Sequence, residues 1–277
     1  MVNLSYLVTV GQLRFIQSRY EHPGYLNPDL LVSDFLPIAE RLGGVLRGLF
    51  LLSKMRSNPF YNYVISRTYY YDEIFVRSMY DQLEYIVNIG CGTDTRPYRF
   101  AHLLRQKGVR VLECDQEAAI SRKSMLARRR WPTDHVDYMA IDLNEEGCPQ
   151  FEAWLSARRN VPILVMLEGV SMYIKQGTFE ALLRLLGREL APGSIVAYDF
   201  KIAGVNDSFG RPSETEQPFR LPSDPEDLAA YHKPFGLRLV HSELSSELTQ
   251  RLLPSDLTAR RPSFHEDCLL RLTVAPR

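Results

Sequence analysis

The clearest candidates for chemistry in this chain are a glycine turn and three acids, each placed where a short apolar run ends. The run 85–89 passes into Gly90-Cys91-Gly92, 110–114 ends on Asp115, 136–140 is followed by Asp142, and 163–167 is followed by Glu168. Glycine allows a tight turn and a close approach of backbone to ligand. A carboxylate about 20 residues beyond such a turn, at the end of the next strand, suits both hydroxyls of a ribose. Singly, each feature is ordinary: a strand-to-helix turn, or an Asp capping the helix that follows it. Together, four successive strands ending in Gly90, Asp115, Asp142 and Glu168 form a nucleoside-binding rim at one edge of an open sheet. Thr95 stands where the third glycine of the dinucleotide fingerprint would fall, which counts against a pyrophosphate ligand.

The elements that must hold this rim follow from the pattern around it. Apolar runs 85–89, 110–114, 136–140, 163–167 and 195–199 alternate with amphipathic stretches at 99–107, 118–130 and 178–190. Such alternation predicts a doubly wound α/β fold, a Rossmann-like sheet of seven mostly parallel strands with helices on both faces. Residues 1–80 carry apolar positions at helical spacing, interrupted by prolines, and predict an N-terminal helical cap. The core is expected over 81–200. Residues 201–222 are aperiodic and rich in Gly, Pro, Ser and Glu, a length and composition typical of an inserted lid. Residues 223–277 supply the C-terminal part of the sheet, with a helix start at Ser223-Asp224-Pro225-Glu226 and strands at 237–240 and 268–274. The whole, 1–277, is expected to be one domain.

Composition narrows the function. Lys plus Arg and Asp plus Glu both total 33, so no net charge draws the chain to nucleic acid or to an anionic membrane. The four cysteines are dispersed, without C-x-x-C pairs or a matching His cluster, and predict a reducing compartment and no metal. No signal-peptide pattern stands at 1–12, and the apolar stretch 42–52 is too short to span a bilayer. The expectation is a soluble, cytoplasmic protein. Tyr69-Tyr70-Tyr71, with Tyr61 and Tyr63, could line a substrate pocket or pack a core. Among the histidines, His232 and His265 fall near strand ends and are the two worth testing, although each is expected to be structural.

Gly90-Cys91-Gly92-Thr93-Asp94-Thr95-Arg96 resembles the G-x-G-x-D-T-R segment of the leucine carboxyl methyltransferase family. Asp115 with Arg122-Lys123 is similar to its D-x-P-x-V-x-x-x-K segment, although Gln116-Glu117 replaces the proline-containing start. Asp142-Leu143 resembles its D-L pair, and Glu168-Gly169-Val170-Ser171-Met172-Tyr173 its E-G-V-x-M-Y signature. Ser66-Arg67-Thr68 through Asp72 resembles its R-T-x-x-x-D helix, and 216–220 its E-P-F lid segment.

The resemblance implies an S-adenosyl-L-methionine-dependent O-methyltransferase acting on a carboxylate or hydroxyl of a small-molecule acceptor. It implies that Arg67 pairs with the carboxylate of the methionine moiety, that Gly90 and Gly92 pass beneath that moiety, and that Asp115 holds the ribose. Asp142 and Leu143 would flank the adenine, and Glu168 would approach the amino group or sulfonium. Asp94, Thr95, Arg96 and Gly169 belong to the same cofactor motifs, while Tyr173, Gln217 and Phe219 would face the acceptor or the lid. An ionised carboxylate acceptor requires no general base and a hydroxyl usually does, so no catalytic residue is singled out. Two alternatives stand beside this reading. One is an NAD(P)-dependent oxidoreductase, against which the missing third glycine and the absence of a Tyr-x-x-x-Lys pair both count. The other is a non-catalytic module that binds the same cofactor.

Overall fold

The structure is a computed structural model that describes residues 9–143, 148–205, 219–255 and 261–275. In chain order its first elements are α1 (Val10–Tyr20), α2 (Ile38–Phe50), α3 (Leu52–Arg56), α4 (Pro59–Tyr80), β1 (Tyr85–Ile89), α5 (Arg96–Arg99), α6 (Ala101–Lys107), β2 (Arg110–Asp115), α7 (Glu117–Arg130) and β3 (Val136–Ala140). They continue with α8 (Pro149–Ser156), β4 (Ile163–Leu167), α9 (Gln176–Glu189), β5 (Ile195–Ile202), β6 (Arg220–Leu221), α10 (Pro225–His232), β7 (Leu237–Leu244), α11 (Ser245–Leu252) and β8 (Asp267–Val274). Contacts sort the chain into two compact units, the first made of Met1–Ile74, Thr93–Phe100 and Ser245–His265, the second of Phe75–Gly92, Ala101–Leu244 and Glu266–Arg277.

The second unit is the α/β unit. Its strands run in the order β3-β2-β1-β4-β5-β8-β7, parallel from β3 through β5, with β8 and β7 antiparallel at the far side. The short β6 pairs parallel with the end of β5 and makes the sheet eight-stranded, one more than expected. This is the Rossmann-like, doubly wound arrangement. All five residues of β4 are buried, because both faces of a central parallel strand are covered by helices. Val87, Ile89, Leu112, Val165, Leu167 and Val196 meet Phe151 and Leu155 of α8 and Leu183 and Leu186 of α9 in one core. Asp224 starts α10 as expected, its carboxylate accepting the N–H groups of Glu226 and Asp227 at 2.9 and 3.2 Å.

The first unit is helical. Leu13 and Ile16 of α1 form a core with Val32, Leu36, Tyr61 and Val64. Helices α1 and α2 meet through glycines: a Cβ on Gly44 would lie 2.6 Å from the Phe15 ring, and one on Gly48 would lie 2.3 Å from the Tyr20 ring. Only glycine admits those rings. Among the described residues, 245–255 and 261–265 belong to this unit, with α11 at Ser245–Leu252, where sequence periodicity assigned them to the C-terminal part of the sheet. Ser66 on α4 and Thr249 on α11 share a buried hydrogen bond of 3.0 Å, and Phe264 stacks on Tyr63 at 4.9 Å. Tyr61 and Tyr63 are core residues here, which settles the choice between pocket and packing for these two.

Candidate nucleoside cofactor site

In the second unit, the strand order sets Asp142, Asp115, the Gly90–Gly92 turn and Glu168 at the C-terminal ends of four adjacent strands, β3, β2, β1 and β4. From β1 the chain winds outward through β2 and β3, then returns to add β4 on the other side of β1. Such a reversal of strand order marks the usual ligand position in open α/β sheets.

The turn is fixed by its own backbone. Gly90 and Gly92 have φ of 68° and 40°, a region that costs other residues strain. A Cβ on Gly90 would also sit 2.4 Å from a Val170 methyl group. The N–H groups of Gly90 and Cys91 both donate to the Cys114 carbonyl, at 2.8 and 3.1 Å. Gly92 N–H donates to Asp115 Oδ2 at 2.7 Å, and Gln116 N–H donates to Asp115 Oδ1 at 2.8 Å. Two backbone donors therefore aim the Asp115 carboxylate, and each oxygen keeps a second acceptor direction. The Gln116 side-chain amide donates to Asp142 Oδ2 at 3.0 Å, tying the two acids together.

Beyond β4, Gly169 has a φ of 68° and its N–H donates to Asp199 Oδ1 at 2.6 Å. Ser171 donates its hydroxyl to the Asp199 carbonyl, also at 2.6 Å. Asp199 is fully buried on β5 and holds the chain just after Glu168 in place. Asp199 belongs to no motif read from the sequence, where its position at the end of a buried strand was the one available signal. Glu168, Asp115 and Asp142 are half-buried, Leu143 packs against the edge of the core, and Tyr173 is 63% exposed. Acceptor oxygens at Asp115, with further carboxylates on both sides, suit a ligand bearing hydroxyls and positive charge. They do not suit a pyrophosphate.

The other motif residues lie in the first unit and are engaged there. Arg96 is fully buried, with Nε on Asp72 at 2.7 Å, one terminal nitrogen on Asp94 at 2.7 Å and the other on the Thr68 carbonyl at 3.2 Å. Arg99 adds a bidentate contact to Asp72 at 2.7 Å on each oxygen, and its Nε reaches Thr95 at 3.0 Å. Thr95 donates to Asp29, whose carboxyl burial pushes up against the pull of Arg14 and Arg99. Asp94, Thr95 and Arg96, expected at the cofactor, thus build a buried network that holds 93–100 to α4. Their shared spacing reflects this network. Arg67 is also buried, its guanidinium over the rings of Tyr63 and Phe60 at 5.4 and 5.9 Å.

One further expectation is relocated by packing. Phe219, expected on a lid, is fully buried in the second unit among Phe179, Tyr198 and Phe200, with centroids 4.3, 6.1 and 6.4 Å away. Burying an aromatic ring is worth more than leaving it on a water-exposed loop. Gln217 lies outside the described residues. His232 is fully buried: the Tyr198 hydroxyl contacts Nε2 at 2.5 Å and Nδ1 contacts the Leu228 carbonyl at 2.5 Å. A carbonyl only accepts, so Nδ1 carries the proton and Tyr198 donates. Burial lowers the His232 pKa, and the histidine is a structural one.

The model of one protein family matches residues 17–187, more than half of the chain and the stretch that carries the rim. The chain belongs to the leucine carboxyl methyltransferase family. A relative from Streptomyces coelicolor, named by inference as an S-adenosyl-L-methionine-dependent methyltransferase, is 26% identical over 148 residues, 53% of this chain and 51% of its own length. A Rhodococcus jostii protein named in the same way is 28% identical over 183 residues, 63% of this chain and 60% of its own. The chain spans about half the length of the first of the curated relatives it matches. A Mesorhizobium loti S-adenosylmethionine-dependent methyltransferase of known structure aligns over 72% of this chain and 96% of its own, at 16% identity and a TM-score of 0.46. Within the family, the rim of the second unit is where this chain keeps its glycine turn and its three acids.

Proposed function

We propose that this protein is an S-adenosyl-L-methionine-dependent O-methyltransferase that methylates a carboxylate or hydroxyl of a small metabolite, in natural-product biosynthesis. The observation that carries the reading is the Asp115 carboxylate, aimed by the N–H groups of Gly92 and Gln116 beside the positive-φ turn. Such a carboxylate would accept from the two ribose hydroxyls, and Asp142 with Leu143 would border the adenine. Glu168 complements the positive end of the ligand. Membership of the family and the names of the relatives support the same reading.

When bound, S-adenosylmethionine supplies an electrophilic methyl group on a sulfonium. The residues of the rim then act by binding and alignment, since displacement at carbon requires the acceptor oxygen on the axis of the breaking bond. Tyr173, exposed at the same edge, is proposed to face the acceptor. Equal numbers of acidic and basic residues fit a small acceptor better than a polyanion. No helix among the described residues is long and apolar enough to cross a membrane.

Calorimetry with S-adenosylmethionine, S-adenosylhomocysteine and NADP tests the cofactor. The first two should bind and raise the melting temperature by mass action. Binding of NADP in preference to both would overturn the reading. Screening candidate acids and phenols for a methyl mass shift then separates an enzyme from a cofactor-binding module.

A further inference from the structure

In the second unit, α7 turns Ile120, Lys123 and Ala127 inward, so a lysine occupies a core position between two apolar residues. Its Nζ lies 2.5 Å from Glu113 Oε1 and 3.2 Å from the Cys91 carbonyl, and Glu113 itself is fully buried on β2. A buried ion pair is a costly way to fill a core, and apolar residues of similar volume often do so with no loss of stability. Its geometry here has a specific consequence. Cys91 stands between the two glycines, so Lys123 holds the carbonyl and Asp115 the N–H of one and the same peptide group, the one that joins Cys91 to Gly92. Glu113 and Asp115 alternate along β2 and share a face. The strand thus carries both anchors of the clamp, one reaching the turn directly and the other through Lys123.

We infer that the Glu113–Lys123 pair is a positioning element: it holds the Gly90–Gly92 turn in the conformation that orients Asp115 toward a nucleoside. This inference rests on the proposed cofactor reading. The test compares the parent with Glu113→Leu/Lys123→Met, an apolar pair that spares the core an unpaired charge, and with Lys123→Arg, which keeps the charge. The double variant should keep its melting temperature within a few degrees, bind S-adenosylhomocysteine at least about tenfold more weakly, and exchange the Gly92 amide faster. Lys123→Arg should recover part of the affinity. Parental affinity and parental Gly92 exchange in a folded double variant would sink the clamp. A parent that binds no S-adenosylhomocysteine would sink the cofactor reading instead, and Gly92 exchange would still decide the clamp.

On α2 in the first unit, the two faces have exchanged their usual roles. Glycines Gly44 and Gly48 meet α1, while Ile38, Leu42, Leu46, Leu49 and Phe50 point outward, each 59–76% exposed. These five recur at i, i+4, i+8, i+11 and i+12 and form one uncharged stripe along the helix. Glu40 and Arg47 lie off it, engaged by Thr9 at 2.7 Å and Gln12 at 3.2 Å. The stripe exposes roughly 600 Å² of apolar surface, close to the ~800 Å² a side of a standard interface and at the upper end for a monomer's largest patch. A chain with no net charge neither repels its own copies nor is drawn to an anionic bilayer.

We propose that this stripe pairs two copies of the chain through an isologous α2–α2 contact. Sedimentation velocity of the full chain over a wide concentration range should show a monomer–dimer equilibrium. Leu42→Glu/Leu46→Glu, at exposed positions, should shift it to monomer with the melting curve of a dilute parent. A parent that stays monomeric throughout, or a double variant that dimerises as the parent does, would refute the interface. Flotation with phosphatidylglycerol vesicles that the double variant loses, in a parent that stays monomeric, would assign the stripe to a lipid surface.

Discussion

Gly92 donates its backbone N–H to the Asp115 carboxylate at 2.7 Å, joining the glycine turn after β1 to the acid at the end of β2. The contact both orders the turn and aims the acid. Asp115→Ala should therefore weaken S-adenosylhomocysteine, at roughly 1.5–3 kcal/mol for each charge-assisted hydrogen bond lost. The penalty should largely vanish for methionine, which has no ribose and senses only the turn. Calorimetry with both ligands checks this, and an equal loss for both would remove Asp115 from the ribose role.

The family resemblance implies that Arg67 pairs with the carboxylate of the methionine moiety, which remains a proposal for this chain. Arg67→Ala should weaken the cofactor by about 2–5 kcal/mol, the range for truncating one partner of a desolvated charge pair. Arg67→Lys should recover only part, since an ammonium lacks the planar fork. Parental affinity in both folded variants would leave Arg67 a packing residue over Tyr63 and Phe60.

Arg96 fills a fully buried position between Asp72 and Asp94. Arg96→Ala takes the guanidinium from Asp94, leaves Asp72 to Arg99, and should cost about 3–5 kcal/mol in urea unfolding. Arg96→Lys should remain strongly destabilised, because one ammonium cannot serve three acceptors in a plane. A loss under about 1 kcal/mol would mean that the network contributes little.

Phe219 sits against Phe179 with ring centroids 4.3 Å apart. Phe219→Ala should lower stability by about 3–5 kcal/mol through cavity formation. A variant with parental stability and lost turnover would return Phe219 to the lid.

The pH dependence of stability should carry a His232 contribution. Burial lowers its pKa below the ordinary 6.5, so between the folded and unfolded values the unfolded chain binds the extra proton. The stabilisation is complete above about pH 6.5 and is lost as pH falls toward the folded value. His232→Gln should be less stable at neutral pH and show a flatter fall between about pH 7 and 5. Identical slopes in urea unfolding for parent and variant would exclude the contribution.

Residue periodicity and local turn chemistry are properties of neighbouring residues, and they determined much of this protein. The five parallel strands, the glycine turn, the acids that end β2, β3 and β4, and the Asp224 cap were all legible, because alternation and capping act within a few residues. What the tertiary structure decided involves partners far apart in the chain. Asp94, Thr95 and Arg96 follow Gly92 in sequence, yet the Thr95 hydroxyl finds Asp29, and the Arg96 guanidinium finds Asp72 and the Thr68 carbonyl as well as Asp94, all in the first unit. Phe219 lies in a segment of polar composition, and only the packed ring of Phe179 shows why it is buried. Residues 245–265 read as an extension of the sheet, but Thr249 and Phe264 find their contacts on α4. Lys123 was visible as a lysine at a motif position. That it sits in the core could be known only once Glu113 was seen buried opposite it, because an ion pair is affordable inside a protein only when its partner is already there.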